Sequence, residues 1–221
     1  MRSCEFHDLG RIGYRDAFTL QQELAGRRKQ GVIPDQFLLL EHPHVITMGR
    51  NGRRENLLAS GELLKRAGVE FHHSDRGGDV TYHGPGQVVG YPIIDLREWN
   101  RDVVAYVRGL ERVMIDAVAR FGIAARRLEG CTGVWVDQAK IGAIGVHISR
   151  WVTSHGFALN VDTDLSYFRH IVPCGLTLPV SSMRERGSAA GRGQVIEALV
   201  DCFGRVFDRQ MRTGSLQAMA R

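Results

Sequence analysis

The chain has 221 residues, 43% hydrophobic and 24% charged, an ordinary globular mixture that excludes a disordered or low-complexity chain. Its 29 basic and 24 acidic residues give a net charge of +5, spread along the sequence; this favours acidic partners, but no aromatic–basic stripe points to nucleic acid. No apolar run approaches the roughly 18 residues of a membrane span, so a soluble protein with no membrane role is expected.

In chain order, Arg15–Gln30 reads as a helix with Ala17, Phe18, Leu20, Leu24 and Ala25 on one stripe. Asp35–Glu41 is a buried strand between Pro34 and Pro43, and Val45–Met48 is expected to continue its sheet. Ser60 caps a short helix ending before Gly68, and Val69–His73 alternates as a half-buried strand. A strand over Gln87–Ile94 precedes the clearest helix, Asp102–Phe121, which Gly122 stops. Thr132–Val136, Ala139–Ser149 and Val152–Asn160 read as three consecutive antiparallel strands. Asp164 starts a short helix broken by Pro173, and a last amphipathic helix is expected over about Gln194–Arg212. The GSAAGRG stretch from Gly187 to Gly193 reads as a mobile surface loop. Hairpins mixed with helical crossovers predict an α/β or α+β fold, a mixed β-sheet flanked by helices, in one domain over residues 1–221 with a core at about 30–212.

Cys4, Cys131, Cys174 and Cys202 contain no CxxC pair, so a zinc ribbon or redox dithiol is not expected and a reducing cytoplasm is the simplest location. Residues 1–10 show no secretory apolar region. Nine histidines occur without HxxxH spacing, so no metal is expected.

Three places carry chemistry. In RGGDVTYHGPGQ (Arg76–Gln87) the spacing fits neither a phosphate loop nor a dinucleotide fingerprint. Gly77 and Gly78 let backbone approach a ligand closely, Arg76 adds a fixed positive donor, and Thr81 and His83 share one strand face; two tight turns alone would also fit. Lys140 is one of only three lysines and sits in the apolar, glycine-punctuated AKIGAIGVHIS. Regular alternation puts Lys140, Gly142, Ile144 and Val146 on one side and Ile141, Ala143, Gly145 and His147 on the other. A lysine there either blunts a sheet edge or enters a site where, unlike arginine, it can release a proton. Cys174 lies on the Pro173–Gly175 bend of HIVPCGL, where it is either a presented nucleophile or a buried small hydrophobe.

EHPHVITMGR (Glu41–Arg50), RGGDVTYHGPGQVVGYPIIDL (Arg76–Leu96), KIGAIGVHIS (Lys140–Ser149), HGFALNV (His155–Val161) and VPCGL (Val172–Leu176) resemble, in order, the octanoyltransferases of lipoate biosynthesis. The resemblance covers well over half of the chain. LPVSSM (Leu178–Met183) and Phe157 depart from the usual family residues, changes expected to touch pocket shape more than chemistry. The resemblance implies a biotin/lipoate-protein-ligase-like catalytic domain and an acyltransferase. It would move an octanoyl group from octanoyl-acyl carrier protein to a lysine of lipoyl domains, in 2-oxoacid dehydrogenase E2 subunits and the glycine cleavage H protein. It also implies Cys174 as acyl-thioester nucleophile with Lys140 as its partner. Arg76, Gly77, Gly78, Asp79, Val80, Thr81, Tyr82, His83, Ala143, Ile144, Gly145, Gly156, Phe157 and Ala158 would bind substrate. No cofactor and a monomer are expected. The alternatives are an ATP-dependent lipoate or biotin ligase of the same fold, a non-catalytic binder of lipoyl proteins or acyl groups, and a Cys-His hydrolase using His170 or His155.

Overall fold

The computed structural model describes residues 2–172 and 178–214. Strand β1 (Arg2–Arg11), helix α1 (Tyr14–Lys29) and strand β2 (Asp35–Glu41) open the chain, with α1 as the crossover that lets β1 and β2 run parallel. A small sheet follows from β3 (Val45–Met48), β4 (Glu70–His73) and β5 (Val80–His83), in the order β4-β3-β5, with α2 (Gly61–Arg66) between its first two strands. Next come β6 (Gln87–Ile93), α3 (Val103–Ala119), β7 (Arg126–Leu128), β8 (Cys131–Val136), β9 (Ala139–Ser149) and β10 (Val152–Asn160). A 3-10 turn at Leu165–His170, α4 (Arg192–Val206) and β11 (Arg209–Thr213) complete it. The large sheet is mixed, ordered β11-β1-β2-β6-β10-β9-β8-β7.

Both faces of that sheet are covered. Every residue of β2 is buried, as a strand sandwiched between helical layers must be. Its alternate residues divide: Phe37 and Leu39 join Tyr106, Leu110, Met114 and Phe203 beneath α3 and α4, while Leu38 and Leu40 join Ala17, Leu24 and Ala25 beneath α1. Each element starts where its sequence allows. The Asp102 carboxylate accepts from the amides of Val104 (2.8 Å) and Ala105 (3.0 Å), and Ser60 Oγ accepts from Leu63 N at 3.2 Å. On α3, fully buried Glu111 accepts from Arg108 Nη1 (2.8 Å), Arg127 Nε (2.7 Å) and Gly133 N (3.0 Å), fastening the β7–β8 hairpin to the helix. Among the described residues no helix is long and apolar enough to cross a membrane.

Three sequence expectations are corrected. Val45–Met48 belongs to the small sheet, because the chain turns at Pro43, which has no N–H to continue the β2 ladder. The last helix ends at Val206: Asp208 adopts a left-handed conformation (φ 53°) and the chain re-emerges as β11, parallel to β1. The GSAAGRG stretch is partly helical, since α4 begins at Arg192 and Gln194 Oε1 accepts from Gly191 N at 3.0 Å. Strands β1, β7 and β11 were not anticipated.

Candidate active site

The site lies where the small sheet leans on β9 and β10. Its floor has almost no side chains: Ala143 pairs with Ala158 and Gly145 with Gly156 across the two strands. A Cβ on Gly145 would stand 2.9 Å from Arg76 Cδ and 3.1 Å from the Gly77 carbonyl, so glycine is what lets the 76–78 loop close over the strand. Gly77 N donates to Val146 O at 2.8 Å, fixing that approach. Arg76 is buried; its guanidinium donates to Thr47 O (2.7 Å), Thr47 Oγ1 (2.8 Å) and Gly77 O (3.1 Å), tying the loop to β3.

The resulting cleft is narrow and partly open to solvent, with a cavity volume of about 40 Å³. Of the residues singled out in the sequence, Arg76, Gly78, Thr81, His83, Ala143, Ile144, Gly145, Gly156, Phe157 and Ala158 line it, with Tyr14, Tyr91 and His155. The Phe157 ring packs 6.1 Å from Phe37, within the core beneath α3 and α4. Gly77 and Asp79 line an outer cleft with Asn51, Arg53 and Lys140. Asp79 accepts from Arg53 N (3.0 Å) and from the Asn56 side-chain amide. Val80 and Tyr82 take the other face of β5 and pack with Ile46, Leu64 and Phe168.

Lys140 departs from regular alternation. Trp135 pairs with Lys140 but Val134 pairs with Gly142, so Ile141 is an extra residue on β9. This β-bulge turns Ile141 into the core and brings Lys140 to the cleft side with Ala143. Lys140 is buried, with Nζ 4.8 Å from the Trp135 ring centroid. It lines an inner recess with Thr81, Gln87, Ala143, Ala158 and Asn160; Thr81, Ala143 and Ala158 also line the main cleft, so the two spaces adjoin.

Cys174 lies outside the described residues. The chain on each side of residues 173–177 is anchored: Val172 N donates to Asn56 O (2.8 Å), Lys140 N donates to Pro179 O (2.9 Å) and Ser181 N donates to Lys140 O (2.9 Å).

The cleft's polar groups are held uncharged or paired. His83 Nδ1 is 2.7 Å from Gln87 Oε1, and burial first, then His42, pushes its pKa down to about 3. His42 donates from Nδ1 to Ile12 O (2.8 Å) and accepts from Tyr91 OH at Nε2 (2.8 Å); burial lowers it to about 4. His155 Nε2 is 2.6 Å from Asp75 Oδ1. Burial lowers the His155 pKa against the pull of Asp75, and the hydrogen bond from His155 lowers that of Asp75, which describes a neutral imidazole donating to a carboxylate. His155 holds φ 54°, a strained value for a non-glycine residue at the cleft wall. His170, the other candidate base, is buried among neither set of cleft-lining residues. No cluster able to hold a metal occurs among the described residues.

Sequence reasoning missed Tyr14, Asp75, Gln87, Tyr91 and Asn160. Gln87, Tyr91 and Asn160 lie within the quoted motifs and were legible there; Tyr14 and Asp75 lie outside them and reach the site through the fold.

Residues 13–204 match the family model of the lipoyl protein ligase A/B catalytic domain. An octanoyltransferase of Solibacter usitatus is 60% identical over 220 residues, covering 100% of both chains. One of Koribacter versatilis is 54% identical over 211 residues, 92% of this chain and 84% of that one. Among solved structures, a bi-partite lipoate protein ligase from Thermoplasma acidophilum superposes with a TM-score of 0.79 at 15% identity, covering 97% of this chain and 87% of that one. The expected mixed-sheet, lipoate-ligase-like fold is therefore the observed one.

Proposed function

The chain belongs to the lipoyl protein ligase A/B catalytic domain family, among its octanoyltransferases, and from that premise we propose that this acyltransferase moves an octanoyl group from octanoyl-acyl carrier protein to a lysine of lipoyl domains through a thioester on Cys174. In the first step Cys174 passes its proton to Lys140 and the thiolate attacks the carrier thioester carbonyl; a new C–S bond forms, the old one breaks, and the carrier sulfur takes that proton from Lys140 and leaves as a thiol. In the second the acceptor amine attacks; a C–N bond forms, the bond to Cys174 breaks, and the amine proton returns through Lys140 to the sulfur. A thiol of ordinary pKa near 8.5 is only a few per cent thiolate at neutral pH, and a nearby ammonium raises that fraction. The amide is more stable than the thioester, so the second step needs no ATP.

The observation that carries this reading is the floor of small residues Ala143, Gly145, Gly156 and Ala158, opening beside the recess that holds Lys140. An apolar chain lies flat on such a floor, and eight carbons gain on the order of 5 kcal/mol from burial at about 0.8 kcal/mol per methylene. Support for Cys174 is that Pro179 and Ser181, shortly beyond it, are hydrogen-bonded to the Lys140 backbone. The Gly78 backbone N–H would supply a donor to the tetrahedral oxyanion, since that of Gly77 is engaged with Val146 O. We place the enzyme in the cytoplasm, as a monomer without cofactor.

The test is transfer from octanoyl-acyl carrier protein to a lipoyl domain without nucleotide. Octanoyl-lysine forming without ATP is the expected result. Modification only with free octanoate and ATP would instead make the protein a ligase, and binding without modification would make it a non-catalytic binder.

A further inference from the structure

One buried hydrogen-bond chain joins the cleft to the Lys140 strand. Asn160 Nδ2 donates to Ser181 O at 3.0 Å, which leaves its Oδ1 to accept from Gln87 Nε2 at 2.9 Å. Gln87 Nε2 also donates to Tyr82 O at 3.3 Å, so both of its amide hydrogens are committed and its Oε1 is an acceptor. His83 Nδ1, 2.7 Å from that oxygen, must therefore carry the imidazole proton. His83 Nε2 is then a lone pair on a residue lining the cleft, and among the described residues no hydrogen bond reaches it. Three ring donors of the cleft wall are engaged elsewhere: Tyr14 OH with Ser74 Oγ at 2.8 Å, Tyr91 OH with His42 at 2.8 Å, and His155 Nε2 with Asp75 at 2.6 Å.

We propose that His83 receives the attacking amine: its Nε2 accepts one N–H of the substrate and orients the nitrogen lone pair toward the acyl carbon, while Gln87 and Asn160 are positioning residues that fix the Nδ1–H tautomer. The inference rests on the acyl-to-amine reading above. His83 holds the second amine hydrogen and takes no proton; the displaced proton leaves through Lys140. The titratable groups facing His83 are His42, Arg76 and His155, all of which oppose its protonation, so the acceptor persists across the working pH range.

Two measurements test this. Long-range proton–nitrogen correlation spectra of the ring-labelled protein, recorded without substrate, should show His83 as the neutral Nδ1–H form from pH 8 to pH 5. An Nε2–H form, or an imidazolium at pH 6, overturns the proposal whether or not octanoyl transfer holds. In Gln87→Glu the new carboxylate still accepts from Nδ1 but favours an imidazolium, whose Nε2–H can no longer accept. Single-turnover amine attack should then fall at least about tenfold at pH 6 and recover at pH 9, within the range typical of a lost proton-directing contact. A loss independent of pH would make Gln87 merely structural and overturn the proposal.

Discussion

Lys140 pairs with Trp135 across β8 and β9, while its neighbour but one, Gly142, pairs with Val134. That single extra residue decides which side of the sheet the lysine serves. Without the bulge, Lys140 would share the face of Gly142, whose Cβ direction meets Met114 Sδ at 2.9 Å in the α3 core. With it, the ammonium sits 4.8 Å from the Trp135 ring beside the cleft.

Replacing Lys140 separates charge from proton transfer. Lys140→Arg keeps a cation that can still favour a thiolate but cannot accept the amine proton. Amine attack is expected to slow about 100-fold or more, and loading of the enzyme by the acyl donor much less. Rapid-quench measurement of the two half-reactions checks this.

Gly145→Ala puts a methyl 2.9 Å from Arg76 Cδ and 3.1 Å from the Gly77 carbonyl. The loop has to lift off β9, breaking the 2.8 Å bond from Gly77 N to Val146 O. The expected cost is about 1–3 kcal/mol in urea unfolding, with a raised KM for the acyl donor.

Stability should fall steeply on acidification. His42 and His83 have folded pKa values of about 4 and about 3, below the 6.5 of the unfolded chain. As pH drops through 6.5 the unfolded state binds protons that the folded state refuses, so each histidine costs up to about 1.4 kcal/mol per pH unit until its folded pKa is reached. Asp75, whose folded pKa is lowered, adds to the loss only below its unfolded value near 3.8. Unfolding free energies from urea titrations at pH 6 and pH 5 should differ by about 2 kcal/mol. His42→Gln should lower the stability at pH 7 and roughly halve that slope.

Glu111 makes a prediction away from the cleft. Glu111→Ala strands the Gly133 amide and the partners Arg108 and Arg127, at a cost of about 2–4 kcal/mol. Glu111→Gln keeps an oxygen for the Gly133 amide and should recover part of that loss. Thermal unfolding of the two variants decides.

Much of this was legible in the sequence where local rules act alone. The apolar run Asp35–Glu41, the Ser60 and Asp102 caps and the three consecutive strands ending at Asn160 follow from alternation and capping. The glycine loop and the small residues of β9 and β10 were legible as site candidates for the same reason: they are unusual where they stand. What stayed hidden depends on partners far along the chain. β1 and β11 carry charged residues and become strands by pairing with each other and with β2, helped by Arg209 Nε donating to Asp35 Oδ2 at 2.7 Å. The bulge at Ile141 is set by its register with β8, so strict alternation grouped Lys140 with Gly142 and apart from Ala143. The tautomer of His83 depends on a carbonyl at Ser181, nearly a hundred residues away.

The most direct test of the central claim is the intact mass of the protein after mixing with octanoyl-acyl carrier protein. A gain of one octanoyl group, roughly 126 Da, lost on adding a lipoyl domain and absent in Cys174→Ser, is the predicted result for a covalent acyl-enzyme. Modification of the lipoyl domain at the wild-type rate by Cys174→Ser, with no adduct on either protein, would contradict it.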